Sequence, residues 1–256
     1  MSKENILTDI PKHNYVEYAE KIDHKEYKKL VKSRRSVRVF KDEPLDPEKL
    51  KECIELALLA PTSSNLQCWE FYWVRDKKKK DKLKEYCLNQ SAARTAQELI
   101  VCIARIDTWK KNKNKILNDL KNNSQAPRSA IAYYKKIVPF VYTQGFFNIV
   151  GFIKKIIIFF IGLVRPIPRE PVSKSDMRVW AHKTTALACE NLMLALRAYG
   201  YDSCPMEGMD SKRIRKMLNL PRSAEVSMVI SAGKRADNGV YGKRFRLDSD
   251  NFIKII

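Results

Sequence analysis

The sequence has few of the residues that build metal sites or disulfide frameworks. It contains only three histidines among 256 residues, and its six cysteines include no Cys-X-X-Cys pair. Zinc sites need closely spaced Cys and His, and disulfide frameworks belong to oxidising compartments. We therefore expect no metal and reduced thiols, which favours a cytoplasmic protein. The opening residues also lack the apolar segment of a signal peptide.

Common catalytic motifs are missing as well. The sequence has no Gly-X-Ser-X-Gly elbow, no Walker A loop, no Gly-X-Gly-X-X-Gly after a strand and no His-Glu-X-X-His. These absences disfavour hydrolases, P-loop nucleotidases and Rossmann dehydrogenases. What remains is a set of basic and small polar clusters at the ends of predicted strands and helices.

The composition is that of a folded protein with a strong positive charge. Hydrophobic residues make up 45% of the chain and charged residues 30%, which is typical of a globular protein. The net charge of +20 comes largely from Lys in segments that are also rich in Asn and Ile, such as 110–123. An AT-rich genome would give this bias to any protein, and no nucleic-acid motif is present. Nucleic-acid binding is therefore the less favoured interpretation.

The predicted elements indicate an α+β protein. Asp46 and Pro47 provide an N-cap and a first helical residue for an amphipathic helix that ends near Ala60. Gly200 would end a long apolar helix, and Asp210 would cap a short one. Helices alternate with strands too sparsely for a doubly wound sheet, so we predict one mixed sheet flanked by helices. The remaining predictions are a polar segment over 1–30, strands over 69–74, 99–106 and 226–233, a Lys-rich helix over 77–88 and the long helix over 177–199.

The stretch 108–176 is different in character. A Lys/Asn-rich segment leads into 145–164, which is almost wholly apolar apart from Lys154 and Lys155. We first expect an inserted helical hairpin packed on the protein or on a partner subunit. The alternative is a peripheral membrane contact through 140–168, in which both lysines would reach lipid headgroups. A spanning helix is disfavoured, because each mid-segment charge costs about 3 kcal/mol at a bilayer centre.

Two polar clusters suggest a binding site. The first, Ser33-Arg34-Arg35-Ser36-Val37-Arg38, suits a phosphate because arginine offers bidentate hydrogen bonds and keeps its charge. The second, 61–71, places hydroxyls and amides before an aromatic strand, where they can serve a flat heteroaromatic ligand. Either cluster alone would be an ordinary polar turn.

Together and at this spacing, the two clusters resemble the nitroreductase family. SRRSVRVF, then APTSSNLQCWEF, then ENLMLALRAYGYDSCPMEGMD and a basic GKRFR carry the resemblance over about 33–106 and 177–247. It implies a three-layer α/β/α sandwich with a mixed, mostly antiparallel sheet, in an interlocked homodimer that binds FMN. The whole chain, 1–256, would be one such domain, with 108–176 as an insertion that the resemblance does not explain.

The resemblance also implies the residues that bind FMN. Arg34, Arg35, Ser36 and Arg38 match those at the phosphate and pyrimidine edge. Pro61, Thr62, Ser63 and Asn65 match a loop that reaches the flavin held mainly by the other subunit. Gln90, or its neighbour Asn89, matches an amide on the ring, and Pro205, Met206, Glu207 and Gly208 match the segment beside it. Two of Lys243, Arg244 and Arg246 would complete the phosphate clamp.

The function implied is an FMN-dependent oxidoreductase with no catalytic side chain of its own. It would pass electron pairs from NAD(P)H to a small organic acceptor such as a nitroaromatic or quinone, by a ping-pong mechanism. A flavin dehydrogenase or dehalogenase on the same scaffold is one alternative, and a flavin-free protein that binds a membrane surface or a partner is another. Cys68 replaces the family's usual Pro. We expect it, Cys204 and His182 to be structural residues.

Overall fold

The computed structural model describes residues 16–256, and the predictions for residues 1–15 lie outside this range. Its main elements follow one another along the chain. They are α1 (His24–Ser33), α2 (Pro47–Ala57), β1 (Trp69–Trp73), α3 (Lys77–Tyr86), α4 (Ser91–Thr95), β2 (Glu98–Arg105), α5 (Trp109–Asn122), α6 (Arg128–Ala132), α7 (Val138–Tyr142), α8 (Ile149–Val164), α9 (Lys174–Ala198), β3 (Asp202–Met206), α10 (Ser211–Met217) and β4 (Ala224–Gly233). A π-helical turn (Tyr133–Ile137) joins α6 to α7.

The four strands form one sheet in the order β1-β2-β4-β3, and all three pairings are antiparallel. A parallel component is present as an isolated bridge between Ser36 and Ser203 at the β3 edge. The α+β class with a mostly antiparallel sheet is therefore confirmed. The strand β3 was not predicted, because its sequence DSCPM carries neither alternation nor β-branched residues.

Helices cover both faces of this sheet. Along β2, Leu99 and Val101 point into a core shared with α3, α4 and α10, whereas Ile100 and Cys102 point into a core shared with α2 and α9. Successive strand residues face opposite sides, so a continuously apolar strand contributes side chains to a core on each face of the sheet. The result is the predicted three-layer sandwich.

The long helix α9 lies against the sheet for most of its length. A capping box between Ser173 and Asp176 starts it, and Gly200, at a positive φ of 81°, follows its end. Eleven of its residues are buried, which explains why its sequence is apolar nearly all round. It starts three residues earlier than predicted, because the capping box precedes the apolar pattern.

The stretch 108–176 forms α5 to α8 and the connection to α9. Its first part packs on the body, where Tyr142 and Val138 join Trp180 in a small core. The helix α8 is held along one edge only. The expectation that both lysines of α8 reach outward is wrong for Lys154, which is buried and donates to the backbone oxygens of Phe140 and Val141.

Other differences concern helix ends. The helix α2 ends at Ala57, before the predicted end near Ala60, and Leu58 is outside the helix and exposed. The Lys-rich helix ends at Tyr86, before the predicted end at residue 88, and Leu83 and Cys87 are buried. Such ends depend on tertiary contacts that periodicity does not report.

Candidate functional site

The first predicted cluster is fixed at the β3 edge of the sheet by backbone hydrogen bonds. Val37 N donates to Ser203 O at 3.0 Å, and Arg38 N donates to Gly239 O at 2.7 Å. The side chain of Val37 is fully buried, whereas Arg35 is half-buried and Arg38 is exposed. Successive side chains of an extended segment point to opposite sides, so the polar neighbours of Val37 point away from the core.

The same segment meets the residues that follow β4. Arg35 Nη2 donates to Gly242 O at 2.6 Å, and Arg244 Nη2 donates to Arg34 O. The guanidinium of Arg38 lies 5.5 Å from the ring centre of Tyr241. Together these residues, which we call the arginine cluster, surround a cavity of about 290 Å³. The predicted site residues that line it are Arg34, Arg35, Ser36, Arg38, Lys243, Arg244 and Arg246.

The arginine cluster has the electrostatics of an anion site. Arg34 Nη1 is buried and has no hydrogen-bond partner within residues 16–256. Partial loss of solvent and the like charges of Arg35, Arg246 and Arg34 lower the pKa of Arg244. A buried donor without an acceptor and a group of crowded cations are both stabilised when a dianion binds. The cluster therefore fits a phosphate group, and its size suits the phosphate end of a nucleotide better than a whole one.

A second contact joins two other predicted parts of the site. Gln90 Nε2 donates to Gly208 O at 2.7 Å and to Cys87 O at 3.0 Å. This places the Gln90 amide against the segment Pro205–Gly208, in which Met206 is buried and Glu207 is exposed. The neighbouring Asn89 is exposed at a positive φ of 51°.

The second predicted cluster is a tightly wound loop. Ser64, Asn65 and Gln67 all have φ between 46° and 54°, in the left-handed region that is costly for residues with a side chain. Thr62 Oγ1 accepts from Gln67 N at 3.1 Å and closes the loop. Such strain persists only where the surroundings impose it.

Those surroundings come from the insertion. Tyr142 OH lies 2.9 Å from Ser63 Oγ, Tyr133 OH lies 2.7 Å from Ser64 Oγ, and Tyr134 OH donates to Ser64 O at 2.9 Å. Sequence reasoning did not assign a role to these tyrosines. The only signal was their spacing in an amphipathic segment, which says nothing about the loop that they contact.

The two clusters do not meet within one chain. Pro61, Thr62 and Ser63 line a separate cavity of about 440 Å³ beside α9, which also includes Tyr142 and Trp180. Among the described residues, none lines both this cavity and the arginine cluster. Asn65 lines neither of the two, and its side chain accepts from Gln67 Nε2 at 3.2 Å.

The residues of ambiguous role have structural contacts. Burial raises the pKa of the Cys68 thiol to about 12 and also raises the pKa of Cys204, so both thiols stay protonated at neutral pH. His182 bridges Ser227 Oγ at 3.2 Å and Glu225 Oε2 at 3.0 Å.

The three-layer fold and the cationic cavity at its sheet edge can be compared with those of known proteins. A sequence profile described as the nitroreductase family matches residues 31–234. The chain belongs to the nitroreductase family, and it is therefore an oxidoreductase.

Individual proteins are similar to this one over most of its length. Protein DrgA of Synechocystis sp. is 30% identical over 215 residues, which cover 84% of this chain and 86% of DrgA. An NADH dehydrogenase of Thermus thermophilus is 26% identical over 217 residues, 84% of this chain and 89% of that protein. A crystal structure of an Exiguobacterium sibiricum nitroreductase-fold protein in complex with FMN superposes with a TM-score of 0.67. It is 22% identical, and the match covers 90% of this chain and 97% of that one.

Proposed function

We propose that this protein binds FMN and passes electron pairs from NAD(P)H to a small organic acceptor, such as a nitroaromatic or a quinone, by a ping-pong mechanism. The arginine cluster carries the proposal, because its buried, unpartnered Arg34 Nη1 lies among crowded cations. The FMN complex of the Exiguobacterium relative supports the cofactor. The name of the Thermus relative supports a nicotinamide donor.

Bound FMN would supply the two-electron chemistry, and the chain would supply position and field. Arg34, Arg35 and Arg244 would bind the phosphate through charge-assisted hydrogen bonds. The side-chain amide of Gln90 is held by its donor bonds to Cys87 O and Gly208 O, so its carbonyl oxygen would be free to accept from an N–H on the polar edge of the ring. No acid or base side chain is needed in this scheme, which agrees with the structural contacts of His182.

We further propose that the site is completed in a homodimer. The loop with Pro61, Thr62 and Ser63 lies apart from the arginine cluster in one chain, although both belong to the same predicted site. Two copies related by a two-fold axis can bring the loop of one to the cluster of the other. The exposed Val179 and Leu187 on α9 supply an apolar surface for such a contact.

The test starts with the colour of the purified protein, since bound FMN absorbs in the visible. We expect a yellow protein whose flavin is reduced by NADH or NADPH and reoxidised by a quinone or nitroaromatic, with parallel lines in double-reciprocal plots. Arg34→Met should weaken FMN binding by about tenfold or more, because a buried charge-assisted bond is lost.

The matched control is Arg213→Met, since Arg213 is exposed on α10 and its one ion pair within residues 16–256 is with Asp210, the N-cap of that helix. It should leave FMN affinity unchanged. A colourless protein that takes up no added FMN would overturn the proposed cofactor. Flavin reduced by nicotinamide but not reoxidised by these acceptors would instead direct the search to a dehydrogenase or dehalogenase reaction.

A further inference from the structure

The helix α8 exposes an unusually wide apolar surface. At 100° per residue, its exposed apolar side chains occupy an arc of about 180° around the helix. They include Phe152, Ile153, Ile156, Phe160, Leu163 and Val164. Phe160 is 61% exposed and Val164 is 88% exposed. The segment Phe146–Val164 has a mean hydropathy of 2.1 and is long and apolar enough to cross a membrane, yet only 17% of it is buried. Single exposed apolar residues are common, but a continuous surface of this kind marks an interaction site.

The attachment of α8 fixes which face is turned outward. Gly151 packs against the backbone at Val172 so closely that a Cβ would lie 2.2 Å from that carbonyl oxygen. Lys154 Nζ donates to Phe140 O at 3.2 Å, Val141 O at 2.9 Å and Pro171 O at 3.4 Å. A spanning position would pull Lys154 from these carbonyls into hydrocarbon, so the attached helix is suited to lie on a bilayer and not to cross it.

The segment that contains α8 is strongly basic. Residues 120–169 contain eight Lys and Arg and not one Asp or Glu. Lys155 lies at the margin of the apolar arc, and Lys135, Lys136 and Arg165 are also exposed. This arrangement complements the surface of an anionic bilayer, because basic side chains near that surface are attracted to its headgroups.

A groove beside α8 adds a place for a headgroup. Lys155 and Arg169 line a cavity of about 490 Å³ together with the rings of Phe152 and Phe159. Asp176 also lines it, but its carboxylate accepts from the backbone of residues 172 and 173 in the capping box. Glu170 is the other acidic residue there.

The outward face favours lipid over a second protein surface. Within Ile149–Val164 the only polar side chains are Lys154 and Lys155, so the outward arc offers no hydrogen bond to a partner. Protein interfaces carry about one hydrogen bond per 100–200 Å². Hydrocarbon needs none, and interfacial helices combine such an arc with flanking lysines.

We propose that α8 docks this protein on the surface of an anionic lipid bilayer, with its outward face in the acyl-chain boundary and Lys155 and Arg169 at the headgroups. This proposal does not depend on the redox function. Burial of the wide, aromatic-rich apolar face attracts the helix to lipid even when salt screens the charges. The basic residues add a preference for anionic lipid.

The experiment is vesicle flotation of the purified full-length protein. We expect it to float with vesicles of phosphatidylcholine and phosphatidylglycerol, much less with phosphatidylcholine alone, and to be partly released by high salt. Ile153→Ser combined with Phe160→Ser should lower the bound fraction about tenfold or more. Both side chains are exposed, so circular dichroism and thermal unfolding should be unchanged.

Phe252→Ser is the control, because Phe252 is 69% exposed but lies far along the chain from α8. It should bind vesicles like the unaltered protein. Three results would overturn the proposal. They are no flotation with anionic vesicles, equal flotation with neutral ones, or a change of oligomeric state in the double variant without a change in vesicle binding. The last would assign α8 to a contact between copies.

Discussion

Two tyrosine hydroxyls of the insertion hold the strained loop at 62–67 in place. Tyr133 and Tyr142 contact Ser64 and Ser63 at 2.7 and 2.9 Å, and Tyr142 also packs on Trp180 with ring centres 4.7 Å apart. The rings are needed for packing, whereas the hydroxyls act only on the loop. Residues outside the motifs thus determine the shape of a predicted FMN contact.

Removing both hydroxyls separates these roles. Tyr133→Phe combined with Tyr142→Phe should lower the free energy of unfolding by about 2 kcal/mol, because the partly buried hydrogen bonds of both hydroxyls to Ser63 and Ser64 are lost. FMN binding should also weaken, since the loop can relax from its left-handed residues. Urea titration and flavin fluorescence measure the two effects. Tyr27→Phe, at an exposed tyrosine, is the control, and unaltered FMN affinity in the double variant would contradict a positioning role.

A second residue-scale prediction concerns Glu225. Its carboxylate accepts from Arg178 Nε at 2.6 Å and lies 3.0 Å from His182 Nε2. Burial alone would raise the pKa of Glu225, but the bonds from Arg178 and His182 outweigh burial and lower it. A carboxylate with a lowered pKa stabilises the fold above its ordinary value of 4.5, and this stability is lost as the pH falls below it.

Glu225→Gln should therefore cost stability at neutral pH and show a weaker loss of melting temperature on acidification below pH 4.5 than the unaltered chain. Thermal unfolding over a pH series measures this difference. Glu26→Gln, at a carboxylate with a solvent-exposed partner, should follow the unaltered chain throughout. Parallel curves for Glu225→Gln and the unaltered chain would show that the Arg178 and His182 contacts do not stabilise the fold.

The helix α8 is attached by the buried Lys154 and by Arg169, which donates to Ile158 O at 3.3 Å and Gly162 O at 3.1 Å. Lys154 Nζ is the donor for three backbone oxygens, two of which lie in α7. Lys154→Met keeps the length of the side chain but leaves these oxygens without that donor. We expect a loss of about 2–3 kcal/mol in the free energy of unfolding. Amide hydrogen exchange in α8 should accelerate more than in α9.

The adjacent Lys155→Met is the matched control, because Lys155 is exposed and has no hydrogen bond among those found in the described residues. It should leave stability and exchange almost unchanged. Equal exchange in α8 for both variants would mean that the apolar edge, with Gly151 and Ile158, and the hydrogen bonds from Arg169 attach the helix without Lys154.

The elements also show what sequence reasoning could and could not reach. Asp46, Gly200 and Asp210 are local signals, and each marks a helix boundary in the structure. The arginine cluster was predicted through its motif, and its two halves do meet. The strand β3 was missed because its pairing with β4 is dictated by tertiary context. The burial of Lys154 was missed because no sequence pattern indicates which backbone carbonyls a lysine contacts in the folded chain.

The whole molecule is predicted to work as a dimer. Leu187 is 47% exposed on the outer side of α9, and Val179 and Leu59 are also exposed. Leu187→Glu would bury a charge in the proposed contact, so we expect a monomer in sedimentation velocity and loss of most FMN. Phe252→Glu should stay dimeric and yellow. A monomer of Leu187→Glu that keeps its FMN would show that one chain is enough for binding.

The contact between Arg35 and Gly242 spans 207 positions. A ribosome makes the sheet, with its last strand ending at Gly233, before it makes the far side of the arginine cluster. Only 23 residues follow Gly233, so the last strand and the far side of the arginine cluster leave the ribosome together, after synthesis has ended. The FMN proposed above would therefore bind only the finished chain, and a truncation after Gly233 should keep the four strands but remove Arg244 and Arg246 from the site.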